Sequence, residues 1–537
     1  MSSIPFSQLT RQAIENDTGD SNAETLRELH LWSNVEKYWP RRLLHIPTMT
    51  SLERTGQSTY GAVSEPTYAI LSYTWGRWEC QKSPAIQIQD TPWKIPGVKP
   101  EHFTPVMLQA VLDEVGKEME YLWIDIACID QEDQGVKMDE VGQQVSIFAR
   151  ASRTYVWLSH LEPKPLEEHL NDLSDYIVAI IYKEEDDWSV VAPALRRISE
   201  CFDFLFQDPW FTSLWTLQEA TLNKTALILS RDGRPVRRRM FSGDFFLVAL
   251  NNETSNLLRE IAMIERMCPQ HIRGVQREIA NIRSQCRKAG FQGIHINNPN
   301  VQYELVRYRK TTRPEDRIYG ITQIYRMKVG QSVESCRSYT LQELRDQFAE
   351  ALVTLYPAIS QLFIHGGDPQ PGQSWRITED CEVPRAFLRV NVNEGAALCK
   401  FRVTAAKGVI CTGVACSPRD LKLPIDLEET LDIFLDRKVE ERLQISPHPY
   451  FPLREITGVG VYEAIRNMLD KLSWAFGPDS VIMVPLVFSG GFQLNGMLLR
   501  RADTGDYAQW ERIGLFTCTK CSNELLSQCA EFCGELV

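Results

Sequence analysis

The segment LWTLQEA, residues 214–220, sets Trp215 four positions ahead of Glu219. Residues i and i+4 share one face of a helix, so an aromatic ring and a carboxylate are expected side by side. Glutamate is seldom fully buried without a partner. Glu219 therefore either marks the rim of a solvated face beside a core tryptophan or lines a pocket where a carboxylate is wanted. A second set of polar and aromatic residues follows two short apolar runs: Tyr73, Trp75 and Gly76 in SYTWG, and Asp125, Asp130 and Gln131 in DIACIDQ. Asp125 and Asp130 could be strand-end and turn residues that accept backbone hydrogen bonds, or could position a substrate or a loop. Trp75 and Gly76 could close a strand or touch a nucleotide. Cys128 lies among them, but no histidine falls in its motif, and a buried thiol is expected there rather than a nucleophile.

The elements that would hold these residues read as an α/β alternation. YAILSY is short, apolar and β-rich, and ends at TWG; AIQIQDTPWKIP reads as a hairpin. Met107, Val111, Leu112, Val115 and Met119 recur at helical spacing. YLWIDIAC reads as the next strand, VGQQVSIFARA as a helix, TYVWLS as a third strand, DPWFTSLWTLQEATL as a helix and TALILS as a fourth strand. Continuous apolar strands alternating with helices predict a flavodoxin-like parallel sheet covered on both faces. Ligands of such sheets bind beyond the carboxyl ends of the strands, where SYTWG and DIACIDQ fall. Residues 1–60 read as a helical lead-in, 61–240 as the α/β domain, 241–365 as a helical region and 366–537 as a smaller β-rich domain. TTRPEDRIYG, with Pro314 and alternating charges, reads as a surface connection into another helix.

Composition narrows the function classes. The chain has 537 residues, 43% of them apolar, and a formal charge of -12, which argues against wrapping nucleic acid or coating an anionic membrane. No signal peptide and no apolar run of about 18 residues is found, so a soluble cytoplasmic protein without a membrane span is expected. Its fourteen cysteines are then expected as reduced thiols. Cys518, Cys521, Cys529 and Cys533 could bind zinc, but the gap between the pairs is short for a zinc ribbon, and Cys529 and Cys533 read as the apolar face of a terminal helix. Neither a metal nor a resident cofactor is expected.

Four ordered blocks, YAILSYTWG, YLWIDIACIDQ, ASRTYVWLS and PWFTSLWTLQE, resemble the motif blocks of the fungal HET (heterokaryon incompatibility) domain. TTRPEDRIYGI and WERIGLF resemble segments found after the domain in long family members. The resemblance implies a role in non-self recognition after hyphal fusion and programmed cell death, with an unidentified incompatibility partner. Ser213 departs from the family pattern, where an arginine is frequent. Ser213, Trp215 and Glu219 in the order S-x-W-x-x-x-E, together with SYTWG after a first strand, are similar to the TIR domain pattern. That second resemblance implies that Glu219 is a catalytic glutamate for NAD cleavage and that self-association completes the site. Tyr73, Trp75, Gly76, Asp125, Asp130, Gln131, Ser213 and Trp215 are the candidate substrate-binding residues. Cleaving the bond between nicotinamide and ribose releases a neutral leaving group and leaves an oxocarbenium-like centre that a carboxylate can stabilise. The alternative is a non-catalytic signalling and assembly module.

Overall fold

The computed structural model describes residues 38–537 apart from 185–186, 224, 240–242, 292, 331–336, 389, 393–396, 405–407, 419–430, 444–467, 469, 473, 478–479, 491–492, 503–508 and 520–521. Residues 1–37 of the expected helical lead-in lie outside the described residues. The chain divides into two compact units, one reaching His295 and including Tyr308–Thr312, the other made of Ile296–Arg307 and Arg313–Val537.

The first unit is built on a six-stranded mixed sheet. Its strands are β1 (Arg42–His45), β2 (Thr50–Glu53), β5 (Ala69–Ser72), β6 (Tyr121–Trp123), β7 (Arg153–Trp157) and β8 (Leu227–Leu229), in the order β2-β1-β6-β5-β7-β8; a small separate ribbon pairs β3 (Thr59–Tyr60) with β4 (Val63–Ser64). The four strands β6, β5, β7 and β8 are parallel neighbours, with Ala69 opposite Leu122 and Ser72 opposite Val156. All four residues of β5 and all three of β6 and β8 are buried, as expected of strands covered on both faces. The pair β1–β2 adds an antiparallel edge. Part of the stretch read as a helical lead-in therefore belongs to the sheet.

The helix between β5 and β6, Pro105–Val115, starts where Thr104 accepts a hydrogen bond from the Met107 amide, and it buries Leu108, Val111, Leu112 and Val115. From β5 the chain moves to β6 on one side, then crosses back to β7 on the other. The connections thus reverse direction between β5 and β7, and the carboxyl ends of these strands flank a topological switch point.

Three local expectations are corrected. AIQIQDTPWKIP forms no hairpin: Gln89 makes one bridge to Thr50, while Ile86, Trp93 and Ile95 are buried in the core. Pro92 and Pro96 remove amide donors that a ladder would need. WIDIAC is not one strand, because β6 stops at Trp123 and Asp125–Cys128 forms a helical turn. The stretch read as one helix over DPWFTSLWTLQEATL is a 3-10 turn, Pro209–Thr212, followed by a helix, Leu214–Leu222.

The second unit carries the helices Pro299–Val306, Asp316–Ile324 and Leu341–Leu355, the last begun by a capping box between Thr340 and Glu343. Its sheet contains β9 (Lys400–Val403), β10 (Val409–Ala415), β11 (Leu431–Leu435), β12 (Val481–Ser489), β13 (Gln493–Arg501), β14 (Gln509–Cys518) and β15 (Ala530–Leu536), nearly all antiparallel, in the order β12-β13-β14-β15-β10-β9 with β11 on β14. The carboxy-terminal stretch is a strand rather than the expected helix: β15 pairs with β10 over seven residues, so Cys533 alternates outward and is exposed while Cys529 is half-buried. Eleven of the described cysteines are free thiols, as expected, and Cys518 departs from them in being bonded in a disulfide. Cys521 lies outside the described residues.

Candidate functional site

Glu219 reaches its position through a turn built by buried polar groups. Asp208 accepts hydrogen bonds from the Trp210 amide at 2.9 Å and from the His160 amide at 2.9 Å, with Pro209 opening the turn. Burial pushes the Asp208 carboxyl up to about 7, against the pull of those two amides. From below, the buried Arg309 donates to the carbonyls of Trp210 and Ser213, each at 3.2 Å, and to that of Ala289 at 2.6 Å. Residues Lys310 and Leu214 complete a backbone bridge: the Lys310 amide donates to Thr212 at 2.7 Å and the Leu214 amide to Lys310 at 3.1 Å. Desolvation lowers the Arg309 guanidinium to about 9. The helix that comes next buries Leu214, Thr216, Leu217, Gln218 and Ala220. Trp215 and Glu219 are left on its half-exposed stripe. Trp215 is thus not a core residue, and Glu219 stands at the rim with its carboxyl turned inward.

That carboxyl meets the end of β5. Ser72 donates to Glu219 Oε2 at 2.5 Å and accepts from Trp210 Nε1 at 2.8 Å. An indole N–H can only donate, so the single Ser72 proton is directed at Glu219. Asp125 lies nearby, accepting from Trp75 Nε1 at 2.6 Å and from the Ile126 amide at 2.8 Å. The buried Tyr73 hydroxyl approaches the same carboxyl without reaching hydrogen-bond geometry. Desolvation pushes Glu219 up to about 8; the Ser72 hydrogen bond opposes this and the Asp125 charge adds to it. Asp125 is raised as well, again chiefly by desolvation, with Trp75 and Tyr73 pulling the other way. Both residues are partly exposed, yet their carboxyl groups lie deep among protein atoms. Two carboxyls that repel each other in a low dielectric hold a proton near neutral pH and favour an incoming cation.

The other candidates take separate places. Gln131 braces the loop, donating to the Asp125 and Ile129 carbonyls at 3.0 Å each and accepting from Lys137 at 3.0 Å. Asp130 accepts from the Glu132 and Asp133 amides at 2.9 and 3.0 Å, a turn role, and no hydrogen bond joins it to Glu219 or Asp125 among the described residues. Gly76 is exposed, and a Cβ added there would meet open space, so no close approach demands glycine at that position. Ser213 precedes the helix in an extended conformation, and its side chain makes no capping hydrogen bond. Tyr73, Trp75, Asp125 and Glu219 are brought together; Gln131 supports them through the Asp125 carbonyl; among the described residues Asp130, Gly76, Ser213 and Trp215 are not joined to the cluster by a hydrogen bond.

A histidine pair that no short motif marks lies beneath the same loop. His102 Nε2 contacts the Thr74 carbonyl at 2.5 Å, and its Nδ1 lies 2.7 Å from His160 Nε2. A carbonyl only accepts, so His102 carries its proton on Nε2 and accepts from His160 at Nδ1. Burial, beneath a Trp78 ring stacked at 3.9 Å, lowers His102 to about 4, and His160 is lowered too. Ser72, Trp210 and Arg309 likewise carry no local signal of their part in the site. Only Asp208 carried a local signal, an acidic residue before proline at a helix start.

Among the described residues no group of three or more His, Cys, Asp or Glu side chains is placed to hold a metal ion, and no helix is long and apolar enough to cross a membrane. A family model described as heterokaryon incompatibility protein (HET) matches residues 68–219, which begin just before β5 and end on Glu219. No curated protein and no solved structure matches the chain.

Proposed function

Residues 68–219 make this chain a heterokaryon incompatibility (HET) domain protein, and from that premise we propose that it is a cell-death effector of incompatibility that hydrolyses NAD, with Glu219 as the catalytic residue. The observation that carries the reading is the Glu219 carboxyl, held by Ser72 at the carboxyl end of β5 beside a second carboxyl and pushed up to about 8. The order of the four parallel strands is that of flavodoxin-like sheets, which supports a TIR-like domain with its site at the switch point. In the resting protein Glu219 keeps its proton. The nicotinamide ring of NAD is cationic, and seating it beside Glu219 and Asp125 lowers both pKa values, so the carboxylate forms as substrate binds. As nicotinamide leaves neutral, positive charge moves to the ribose, and Glu219 stabilises it until one water molecule adds to the anomeric carbon and releases its proton to solvent, giving ADP-ribose. Trp75, with Trp215 on the Glu219 helix, supplies flat apolar walls that exclude water. NAD enters as substrate, and no resident cofactor is invoked. Self-association of the domain at residues 61–240 completes the site, and an incompatibility partner triggers it.

Glu219→Gln keeps the shape and removes the charge. It is expected to lower nicotinamide release by about a hundredfold or more, the usual weight of one electrostatic stabiliser, with the fold intact. The measurement is free nicotinamide and residual NAD in cells expressing the full chain at a level that kills. A stable variant that depletes NAD and kills as fast as the parent ends the enzymatic reading. The non-catalytic assembly module is favoured by the same hydrogen bond from Ser72, since a carboxyl already satisfied and neutral is also what a packing residue looks like; it requires killing to survive Glu219→Gln.

A further inference from the structure

The second unit holds a cleft with chemistry of its own. Three arginines converge there from three elements: Arg307 just past helix Pro299–Val306, Arg317 on Asp316–Ile324 and Arg345 on Leu341–Leu355. Tyr303 and Glu379 complete the lining. Arg317 belongs to TTRPEDRIYG, a motif whose sequence reads only as a surface connection. Arg307 is fully engaged in the wall: it donates to the carbonyls of Glu379 and Cys381 at 3.2 Å each and pairs with Glu382 at 3.1 Å and Glu304 at 3.6 Å.

Arg317 and Arg345 are different. Both turn to a single oxygen, Glu379 Oε1, Arg317 at 3.3 Å and Arg345 closer. Arg317 and Arg345 share this one carboxylate while Arg307 holds two, so the three arginines and three glutamates balance overall and the excess of positive charge is local to the Arg317–Arg345 end. The Nε–H of Arg317 and that of Arg345 are buried and face no acceptor. Buried donors without acceptors are costly, and an arginine offers Nε–H and Nη–H together as a fork that matches the oxygens of a phosphate. Glu379, with 41% of its side chain exposed, is free to swing toward solvent. With Glu379 in place the space between these side chains holds no more than a water molecule, so an anionic group enters only as the Glu379 carboxylate leaves.

We infer that this cleft binds a phosphate group presented by a small molecule, with Arg317 and Arg345 as its ligands and Glu379 as an internal competitor that fills the site when it is empty. The incoming dianion takes the two Nε–H donors and displaces the carboxylate. The site stands apart from the reading of Glu219, and neither depends on the other.

The test uses the full chain titrated with inorganic phosphate against sodium chloride of equal ionic strength, followed by calorimetry and by melting temperature. The parent protein is expected to show a saturable rise in melting temperature with phosphate and none with chloride. Glu379→Gln removes the competitor and should bind phosphate at least about tenfold more tightly than the parent, while Arg345→Gln and Arg317→Gln bind at least about tenfold more weakly. Should the arginine variants fail to fold, the Glu379→Gln comparison decides alone. No saturable response in either the parent or Glu379→Gln overturns the inference. So does an equal response in Glu379→Gln and in the double variant Arg345→Gln with Glu379→Gln, because phosphate then binds elsewhere.

Discussion

Asp436 in the second unit and Glu219 in the first are both buried carboxyls, and they are treated in opposite ways. Asp436 accepts from Arg512 Nη2 at 3.0 and 3.3 Å and from the His365 amide at 2.8 Å. Arg512 is itself saturated, donating to the carbonyls of Phe363 and Ser374 at 2.5 and 3.2 Å and lying 4.2 Å from the Phe363 ring centre. Asp436 and Arg512 are each other's counter-charge, which is the pattern of a structural anchor, and the acid beside them, Glu440, is pushed up to about 7 by burial and by the Asp436 charge. Glu219 has a hydroxyl and a second acid for neighbours, and no ion pair reaches it or Asp125 among the described residues. The first unit does own a buried arginine, Arg309, but it is occupied by the carbonyls of Trp210, Ser213 and Ala289. Cation and carboxyls are kept on separate sides of one turn. That separation costs stability and leaves acids able to respond to an arriving charge, a pattern more frequent at functional sites than in cores.

The largest effect should come from breaking the anchor. Arg512→Met leaves Asp436 buried without its counter-ion and is expected to lower unfolding free energy by about 3–5 kcal/mol. Denaturant melts of the full chain measure it. Glu219→Gln exchanges a largely neutral carboxyl for a neutral amide and should leave stability at neutral pH unchanged or raised. A loss in Glu219→Gln as large as in Arg512→Met would mean that Glu219 is an anchor too, and the contrast would disappear.

A smaller effect sharpens the same contrast through pH. The folded pKa of Glu219 is raised, from the ordinary 4.5 to about 8, so between those values the folded state holds a proton that the unfolded state has released. Its contribution is complete below the unfolded pKa and is lost as pH rises toward 8. Unfolding free energy should therefore fall across that window and level off above it, by an amount on the order of a few kcal/mol. Glu219→Gln should flatten the part of the slope that Glu219 supplies, leaving the shares of Asp208, which is raised nearly as far, and of Asp125, which is raised in the same direction. Equal slopes in parent and variant would show that Glu219 is already ionised and solvated.

The parts of this architecture that could be read from sequence are those whose signal is local. The strands at Ala69–Ser72, Arg153–Trp157 and Leu227–Leu229 announce themselves as continuous apolar runs, because a strand buried on both faces has no polar side to alternate with. AIQIQ alternates like a half-exposed strand, yet its apolar side chains serve as a cover for the core instead. WIDIAC joins a strand to a helical turn within one apolar run, which periodicity cannot separate. In the site, Trp75, Asp125 and Glu219 stood out as polar or aromatic residues in apolar surroundings. Their partners did not: Ser72 is 147 positions from Glu219 and 138 from Trp210, and His102 is 58 from His160. Contacts over such distances are set by sheet order, which no short window contains.

The smallest predicted effect belongs to Asp130, and it tests where the cluster ends. Asp130 stands in the same motif as Asp125, five residues on, but its Oδ1 atom accepts the amides of Glu132 and Asp133 at 2.9 and 3.0 Å, shaping the turn that leads into helix Gln134–Gly142. These hydrogen bonds are exposed, so water replaces them readily when the side chain is lost. Asp130→Ala should then cost about 1 kcal/mol or less. Any change in NAD turnover should stay within about twofold, since a shift that small in the turn is partly absorbed by Gln131, which still ties the loop to the Asp125 and Ile129 carbonyls. Melting temperature and nicotinamide release, measured on Asp130→Ala beside Asp125→Asn, check it. Asp125→Asn should act on turnover far more strongly, because it removes the charge that couples to Glu219. If Asp130→Ala instead abolishes turnover with the melting temperature unmoved, Asp130 contacts substrate, and the acids of the first unit form a row along the loop rather than a pair at the end of β5.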